Sequence, residues 1–522
     1  MINRIIRFAL DQKLFVGLGL FILILAGIFS FKNLPVEAFP DVSDIQVNVI
    51  TLYPGRAAEE VEKQVTIPIE VALSGLPNSV RVFSHTQFGL SFLMVTFNDK
   101  TTDLIARQQV TERLRHVDLP DGVTPDIAPL STAIGEIYRF RLKGIGKDTQ
   151  ELRTLEDWVV EKHLRQVSGV ADVVTVGGQV KQYEVNPNLA KMRDYKVTLG
   201  QLFNALSRAN SNAGGGRVEE GRQQFLLRSI GLFKSSAEIG QVVVAENKGV
   251  PILVKHIADV RVAYAPPQGL MAQDAEDDIV VGTVLMRKGE NPSRVLEGIK
   301  EKINKLNNEI LPRGVTIEPY YDRSWLIDKT LKTVFGNLVE GALLVVAVLY
   351  LFLLNARAAA IVAFTIPLAL LSTFIGLTIV GIPANLLSLG AMDFGIIVDG
   401  AVIVVENIFR RLGELSDQQI KSAHERKRAI FKAATEVGRP TLFSIIIIIA
   451  AHIPIFTLQR HEGKIFAPMA YTVTSALIGA LIISLTVVPM LCHLFLNKNI
   501  SHEDSKFVHW CKEKYSRSLK WA

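Results

Sequence analysis

Residues 386–409 read LLSLGAMDFGIIVDGAVIVVENIF, an apolar stretch long enough to cross a bilayer that still carries Asp393, Asp399 and Glu406. A carboxylate at the middle of a membrane span costs about 2.5–3.5 kcal/mol on insertion scales, so a segment with three of them must face protein or water. At about 100° per residue, Asp399 and Glu406 stack on one helix face and Asp393 sits about 120° around it. Gly390, Gly395 and Gly400 reduce side-chain bulk, which lets neighbouring helices approach. Carboxylates can switch between charged and neutral as burial or a nearby cation changes. The pattern therefore points to a proton or cation relay inside a helix bundle, with Asp399 the principal residue, Asp393 second and Glu406 near the end of the span.

The elements that must position these acids are further membrane spans. The chain has 522 residues, 49% hydrophobic, with a formal net charge of +6 and only 2 Cys, which excludes a disulfide framework. The first apolar run, Leu14–Phe31, follows Arg4, Arg7 and Lys13 and lacks a small-residue cleavage site, so it reads as an uncleaved span. Others fall near 336–354, 358–380, 386–409, 440–459 and 470–496, giving six. The loop 410–439 holds Arg410, Arg411, Lys421, Arg426, Lys427, Arg428, Lys432 and Arg439, which places it in the cytoplasm. Alternation then puts both termini in the cytoplasm and residues 32–335 on the opposite side, the periplasmic one if the cell is Gram-negative. Flanking spans make this basic loop a topology signal and not a nucleic-acid surface.

The region between the first two spans repeats itself. A strand at 45–53, a helix at 56–74, strands at 79–86 and 90–97 and a helix at 101–116 give β-α-β-β-α. The pattern recurs with a strand at 136–142, a helix at 151–167, strands at 170–176 and 180–185 and a helix at 198–209. The turn at Gly75 parallels the turn at Gly169. Such split β-α-β units are ferredoxin-like, and the second copy resumes at 279–286, 292–308 and 315–321. The fold class expected is a polytopic α-helical membrane protein of six spans with a large α+β periplasmic region. Its divisions are 1–35 for the N-terminal segment and first span, 36–134 for a first β-α-β subdomain, and 135–181 with 275–330 for a second. The remainder is an inserted module at 182–274, the other spans at 331–500, and an amphipathic cytoplasmic helix at 501–522.

Six spans, a large loop after the first and an acidic fourth span resemble the resistance-nodulation-division efflux pumps. Tyr53–Glu70, YPGRAAEEVEKQVTIPIE, is similar to the family's first periplasmic helix, and Leu34–Asp41, LPVEAFPD, to its segment after the first span. Asp393–Asn407, DFGIIVDGAVIVVEN, is similar to the fourth-span motif of the heavy-metal branch. Multidrug members carry two adjacent acids there, whereas Gly400 follows Asp399 here. The resemblance covers the whole chain, but family pumps repeat the plan twice, and here a second porter half and a basic partner for Asp399 have no counterpart.

The resemblance implies proton-driven antiport of divalent cobalt, zinc, cadmium or nickel by the N-terminal half of such a pump. It also implies a C-terminal half, a homotrimer, a periplasmic adaptor and an outer-membrane channel as partners, and no cofactor. Copper and silver would call for thioether ligands, yet there are only 8 Met and no methionine ladder. For the metal, Glu136 at the start of a strand and Asp172 in a helix–strand turn are the candidate ligands. His85, His116, His163 and His256 lack ligand spacing, and Asp274, Glu276, Asp277 and Asp278 read as a solvated loop. A GxxxxGK[ST] loop, a nucleophile elbow and an HExxH motif do not occur, so neither ATP coupling nor an enzyme is indicated. The alternatives are a drug or lipid exporter of the same superfamily, or a truncated, non-transporting membrane scaffold subunit.

Overall fold

In the computed structural model the described residues are 2–37, 39–267, 269–353, 355–390, 392, 394–415, 419, 422–496 and 514–519. Asp393 lies outside them, as does most of the 501–522 segment.

The chain opens with α1 (Ile2–Asp11) and α2 (Lys13–Asn33), followed by the two-residue β1 (Val36–Glu37). The first soluble unit contains β2 (Ile45–Leu52), then α3 (Ala58–Val61) and α4 (Ile67–Leu73) joined by a π turn at Glu62–Thr66. It continues with β3 (Ser79–Gln87), β4 (Leu90–Phe97), α5 (Asp103–Leu114) and β5 (Pro125–Ile127). Its antiparallel sheet has the order β3-β4-β2-β5. Val47, Val49, Leu93 and Val95 alternate onto the face that meets Val61, Val65, Ile69, Ala106 and Val110 of the helices.

The second unit contains β6 (Glu136–Gly144), α6 (Thr149–Leu155), a π turn at Glu156–Val160, α7 (Glu161–Leu164), β7 (Val170–Val176) and β8 (Lys181–Pro187). An excursion of α8 (Leu189–Asp194), α9 (Leu199–Ala209), β9 (Ala213–Glu220), β10 (Gln223–Ser229), α10 (Ser236–Gly240), β11 (Val243–Asn247), β12 (Val250–Leu253), α11 (Val254–Ile257) and β13 (Ala258–Tyr264) follows. It closes on itself, since β13 pairs antiparallel with β8 over a small core of Met192, Leu202, Val254 and Ile257. The unit is completed by β14 (Val280–Met286), α12 (Pro292–Lys305) and β15 (Val315–Asp322), in a sheet of order β15-β6-β14-β7. Counted within each unit, the two sheets share one strand order, fourth-first-third-second. In both, the first long helix passes through a π turn.

Helices α13 (Ser324–Leu353), α14 (Ala356–Val380), α16 (Phe394–Gly413), α17 (Ala423–Ala451) and α19 (Arg460–Phe495), with α2, are six helices long and apolar enough to cross a membrane. Short β16 (Ala384–Asn385) and α15 (Leu386–Gly390) precede α16, and α18 (Ile453–Phe456) precedes α19. Small residues bring the central helices together. A Cβ on Gly376 would fall 2.3 Å from Ser475 Oγ, and one on Gly479 would fall 2.3 Å from Ser372 Cβ, so α14 and α19 cross almost backbone to backbone. The soluble part is tied to the bundle at several places. Strand β1 pairs in parallel with β16, Glu37 opposite Asn385. At the start of α19, Lys464 Nζ donates to Ser43 O at 2.7 Å and also lies 3.6 Å from Asp99.

Candidate functional site

Helix α16 buries Val398, Ala401, Val404, Val405, Ile408 and Leu412 in the bundle core. The opposite stripe, Ile396, Asp399, Ile403 and Glu406, is exposed. The two acids thus share one face, seven residues and about 10 Å apart along the axis. Among the described residues, neither has a hydrogen-bond or ion-pair partner. Helix periodicity fixes this arrangement, because apolar residues take most of the positions that the bundle covers. The glycine beside the first acid has a packing reason. A Cβ on Gly400 would lie 3.2 Å from Thr441 and 3.4 Å from Ile445, so α17 presses against α16 there. Gly390 has no such role, since a Cβ there would meet nothing within 4 Å.

Just past Glu406 the helix is pinned by polar contacts. Asn407 is buried and its Nδ2 donates to Ala433 O at 2.9 Å, while Arg410 donates to Asn407 Oδ1 at 2.8 Å. Arg411 pairs with Glu436 at 3.0 Å. These bonds tie α16 to α17 at one end, while the Asp399 stripe stays exposed.

The second candidate pair sits on the sheet of the second soluble unit. Leu285 of β14 is opposite Glu136 of β6 on one side and Asp172 of β7 on the other, so both acids lie on one row, two strands apart. Two strand spacings place their backbones roughly 10 Å apart. Each carboxylate already has a cation: Arg139 for Glu136, and Arg165 for Asp172, with Arg165 also 3.0 Å from Glu161. The described residues contain no group of three or more His, Cys, Asp or Glu placed to hold a metal ion. A row of two paired acids can form one wall of a cation site and not a closed site.

The AcrB/AcrD/AcrF family model matches residues 5–522. The chain belongs to that family. Its relatives include the cobalt-zinc-cadmium resistance protein CzcA of Cupriavidus metallidurans, 41% identical over 99% of this chain and 50% of its own length. The cation efflux system protein CusA of Escherichia coli K12 is 35% identical over 97% of this chain and 49% of its own. A crystal structure of a heavy metal efflux pump superimposes with a TM-score of 0.85 at 41% identity, covering 93% of this chain and 48% of that one. The chain therefore spans about half the length of the curated relatives it matches. This AcrB/AcrD/AcrF family member has the fold of the resistance-nodulation-division proteins, apolar helices with a mixed helix and sheet region, and aligns with relatives named for cation efflux.

Sequence reading missed two buried acids of this family member. Glu156, in the π turn of the second unit, is fully buried. Thr175 donates to its Oε1 at 3.5 Å, and Oε2 has no partner. Burial first, then the charges of Asp157 and Glu161, push its carboxyl up to about 8. Glu37, between the soluble unit and the bundle, is buried, and burial raises it to about 7 against the opposing pull of Arg323. Glu37 Oε2, Arg323 Nε and Asn385 Nδ2 are all buried without a hydrogen-bond partner. A signal for Glu37 exists in the sequence, an acid a few residues beyond an apolar span in Leu34-Pro-Val-Glu37. Glu156 has none, because Glu-Asp at 156–157 reads as an ordinary exposed helix turn.

Proposed function

We propose that this chain works as the N-terminal half of an inner-membrane pump that exports divalent heavy-metal cations in exchange for protons. The observation that carries the reading is the exposed stripe of Asp399 and Glu406 on a helix whose other face is buried in an apolar bundle. A carboxylate on a membrane helix needs a covering partner or water, and a second helix bundle supplying a cation would complete the relay. Loading or releasing a proton then biases two conformations, and the full membrane potential contributes about 2.3 kcal/mol per charge per 100 mV. Relatives named for cobalt-zinc-cadmium resistance and for cation efflux support a metal cargo, and the carboxylate row of Glu136 and Asp172 favours zinc, cobalt, cadmium or nickel.

The same reading makes the six apolar helices the spans, with both termini cytoplasmic, and makes the two sheets ferredoxin-like porter subdomains at 36–134 and at 135–181 with 275–330. The excursion 182–274 is a docking module, and the complete pump is a homotrimer working with a periplasmic adaptor and an outer-membrane channel. The test is proton-coupled uptake of zinc, cobalt, cadmium and nickel by everted membrane vesicles, with this chain alone and with a matching second half. Uptake that requires both halves supports the reading. Robust uptake by residues 1–522 alone would replace it with a smaller, self-sufficient transporter.

A further inference from the structure

At the end of the bundle where the chain begins, α1 lies across α17 and α19. Ile2, Ile6, Ala9 and Leu10 face inward, and Gly438 admits them closely, since a Cβ there would sit 3.1 Å from Ile2. Between α1 and α17 is a cavity of about 440 Å³ whose walls are mostly basic: Arg7, His424, Lys427 and Arg428 against one acid, Asp11. Asp11 is already engaged by Lys427, at 2.6 Å. Arg7 lies over the ring of Phe431, 5.2 Å from its centroid, which holds the guanidinium at the cavity edge. Among the described residues, neither Arg7 nor Arg428 has a carboxylate within ion-pair distance. Two like charges lining one cavity repel each other, and the arrangement leaves an unanswered demand for an anion.

We propose that this cavity seats the phosphodiester headgroup of an anionic phospholipid, gripped by Arg7 and Arg428 with the Lys427–Asp11 pair as its back wall. Guanidinium forks match tetrahedral phosphate oxygens in a bidentate way that an ammonium does not. Basic pockets between membrane helices are a recurring form of lipid headgroup site. The surroundings select a lipid over free phosphate. Phe8, next to Arg7 on α1, and Leu14 and Phe15 at the start of α2 are exposed at 52%, 78% and 59%, offering apolar surface for acyl chains beside the charged cavity. The bound lipid bridges α1 to α17, the helix that presses on Gly400 next to Asp399, so it would steady the packing behind the relay stripe.

The experiment is native mass spectrometry of the full chain in detergent, titrated with cardiolipin, phosphatidylethanolamine and, separately, inorganic phosphate. Cardiolipin should bind several-fold more tightly than phosphatidylethanolamine and persist in millimolar phosphate. R7Q/R428Q should weaken it by about fivefold per charge removed. R7K/R428K, which keeps the charge and loses the fork, should fall between. K432Q, an exposed cation one turn further along α17, should bind as the parent does. Thermal unfolding of each variant shows that the fold is retained. Unchanged cardiolipin binding in R7Q/R428Q, an equal loss in K432Q, or displacement by inorganic phosphate would each overturn the lipid site. None of these outcomes depends on whether the chain moves metal.

Discussion

The acids of α16 and those of the second soluble sheet are solved in opposite ways. Asp399 and Glu406 stand on an exposed helix face with no cation among the described residues, while Glu136 and Asp172 are each held by an arginine. In water an exposed ion pair is worth only about 0–1 kcal/mol, so the arginines cost little to displace. In a membrane the missing cation matters far more, because a carboxylate without one bears the full penalty of leaving water. The difference teaches where each set is incomplete. The soluble pair needs a further wall of ligands, and the membrane pair needs a counter-charge.

The sharpest break of that comparison is Asp399→Asn in the complete pump. Asn keeps the shape of the side chain and removes its titration, so metal resistance should be lost while expression and assembly stay intact. Growth in zinc or cobalt and protein level by immunoblot check this. Parental resistance in the variant would remove Asp399 from the relay.

Next in size is Glu156→Gln, which asks whether a buried acid in the soluble unit behaves like an unpaired membrane acid. Its folded-state value, about 8, lies above the ordinary 4.5 of a carboxyl. The sign follows: folding favours the protonated form, so its stability is fully present below about 4.5 and is lost as pH rises through about 8. Gln removes that slope. In detergent the variant should match the parent at pH 5 and exceed it at pH 9 by on the order of a few kcal/mol. Parallel thermal-unfolding curves for parent and variant across this range would show that Glu156 is not protonated in the native fold.

Glu37→Gln should show the same sign with a smaller amplitude. Burial raises Glu37 only to about 7, because Arg323 opposes the shift. Its stability is therefore present below about 4.5 and lost as pH rises through about 7. The melting temperature of the variant should overtake the parent near neutral pH, and less steeply than for Glu156→Gln. A larger effect at Glu37 than at Glu156 would mean that Arg323 does not offset its burial.

How far this was legible from sequence differs by region for a physical reason. Periodicity placed the first five elements of the first unit within a residue or two: the expected strand at 45–53 is Ile45–Leu52, and the expected helix at 56–74 is Ala58–Leu73 with its π turn, while the short edge strand Pro125–Ile127 was not expected. The long apolar helices were expected at the right places, but several of them start earlier than expected. The span expected at 440–459 belongs to a helix that begins at Ala423, and the one expected at 470–496 begins at Arg460. Hydropathy detects contact with lipid and not helicity, and Ala423–Arg439 is a charged helix that buries only Ile430, Ala433, Ala434 and Gly438. The shared face of Asp399 and Glu406 followed from periodicity. The arginine beside Asp172 did not, because Arg165 lies on a different element and reaches it only after α7 packs on β7. Glu156 was invisible for the same reason: nothing in Glu-Asp-Trp says which of its acids turns inward.

The smallest expected effect is the most discriminating for the soluble pair. Arg165→Gln removes the cation shared by Asp172 and Glu161 without touching either carboxylate. Glu161 is held above the ordinary carboxyl range by burial, with Arg165 the largest opposing influence, so the variant should raise it further and leave Asp172 as the acid set free. If Asp172 belongs to a cation wall, zinc binding by the purified chain should tighten by a few fold at low salt. That corresponds to about 1 kcal/mol or less, the scale of one exposed pair. The gain should fade as salt screens the surface charge, and it should vanish in Arg165→Gln combined with Asp172→Asn. Should Arg165→Gln instead lower the melting temperature and leave zinc binding unchanged, the Arg165–Asp172 contact is a clamp between α7 and β7. The metal wall would then have to be sought on the Glu136 side of the row.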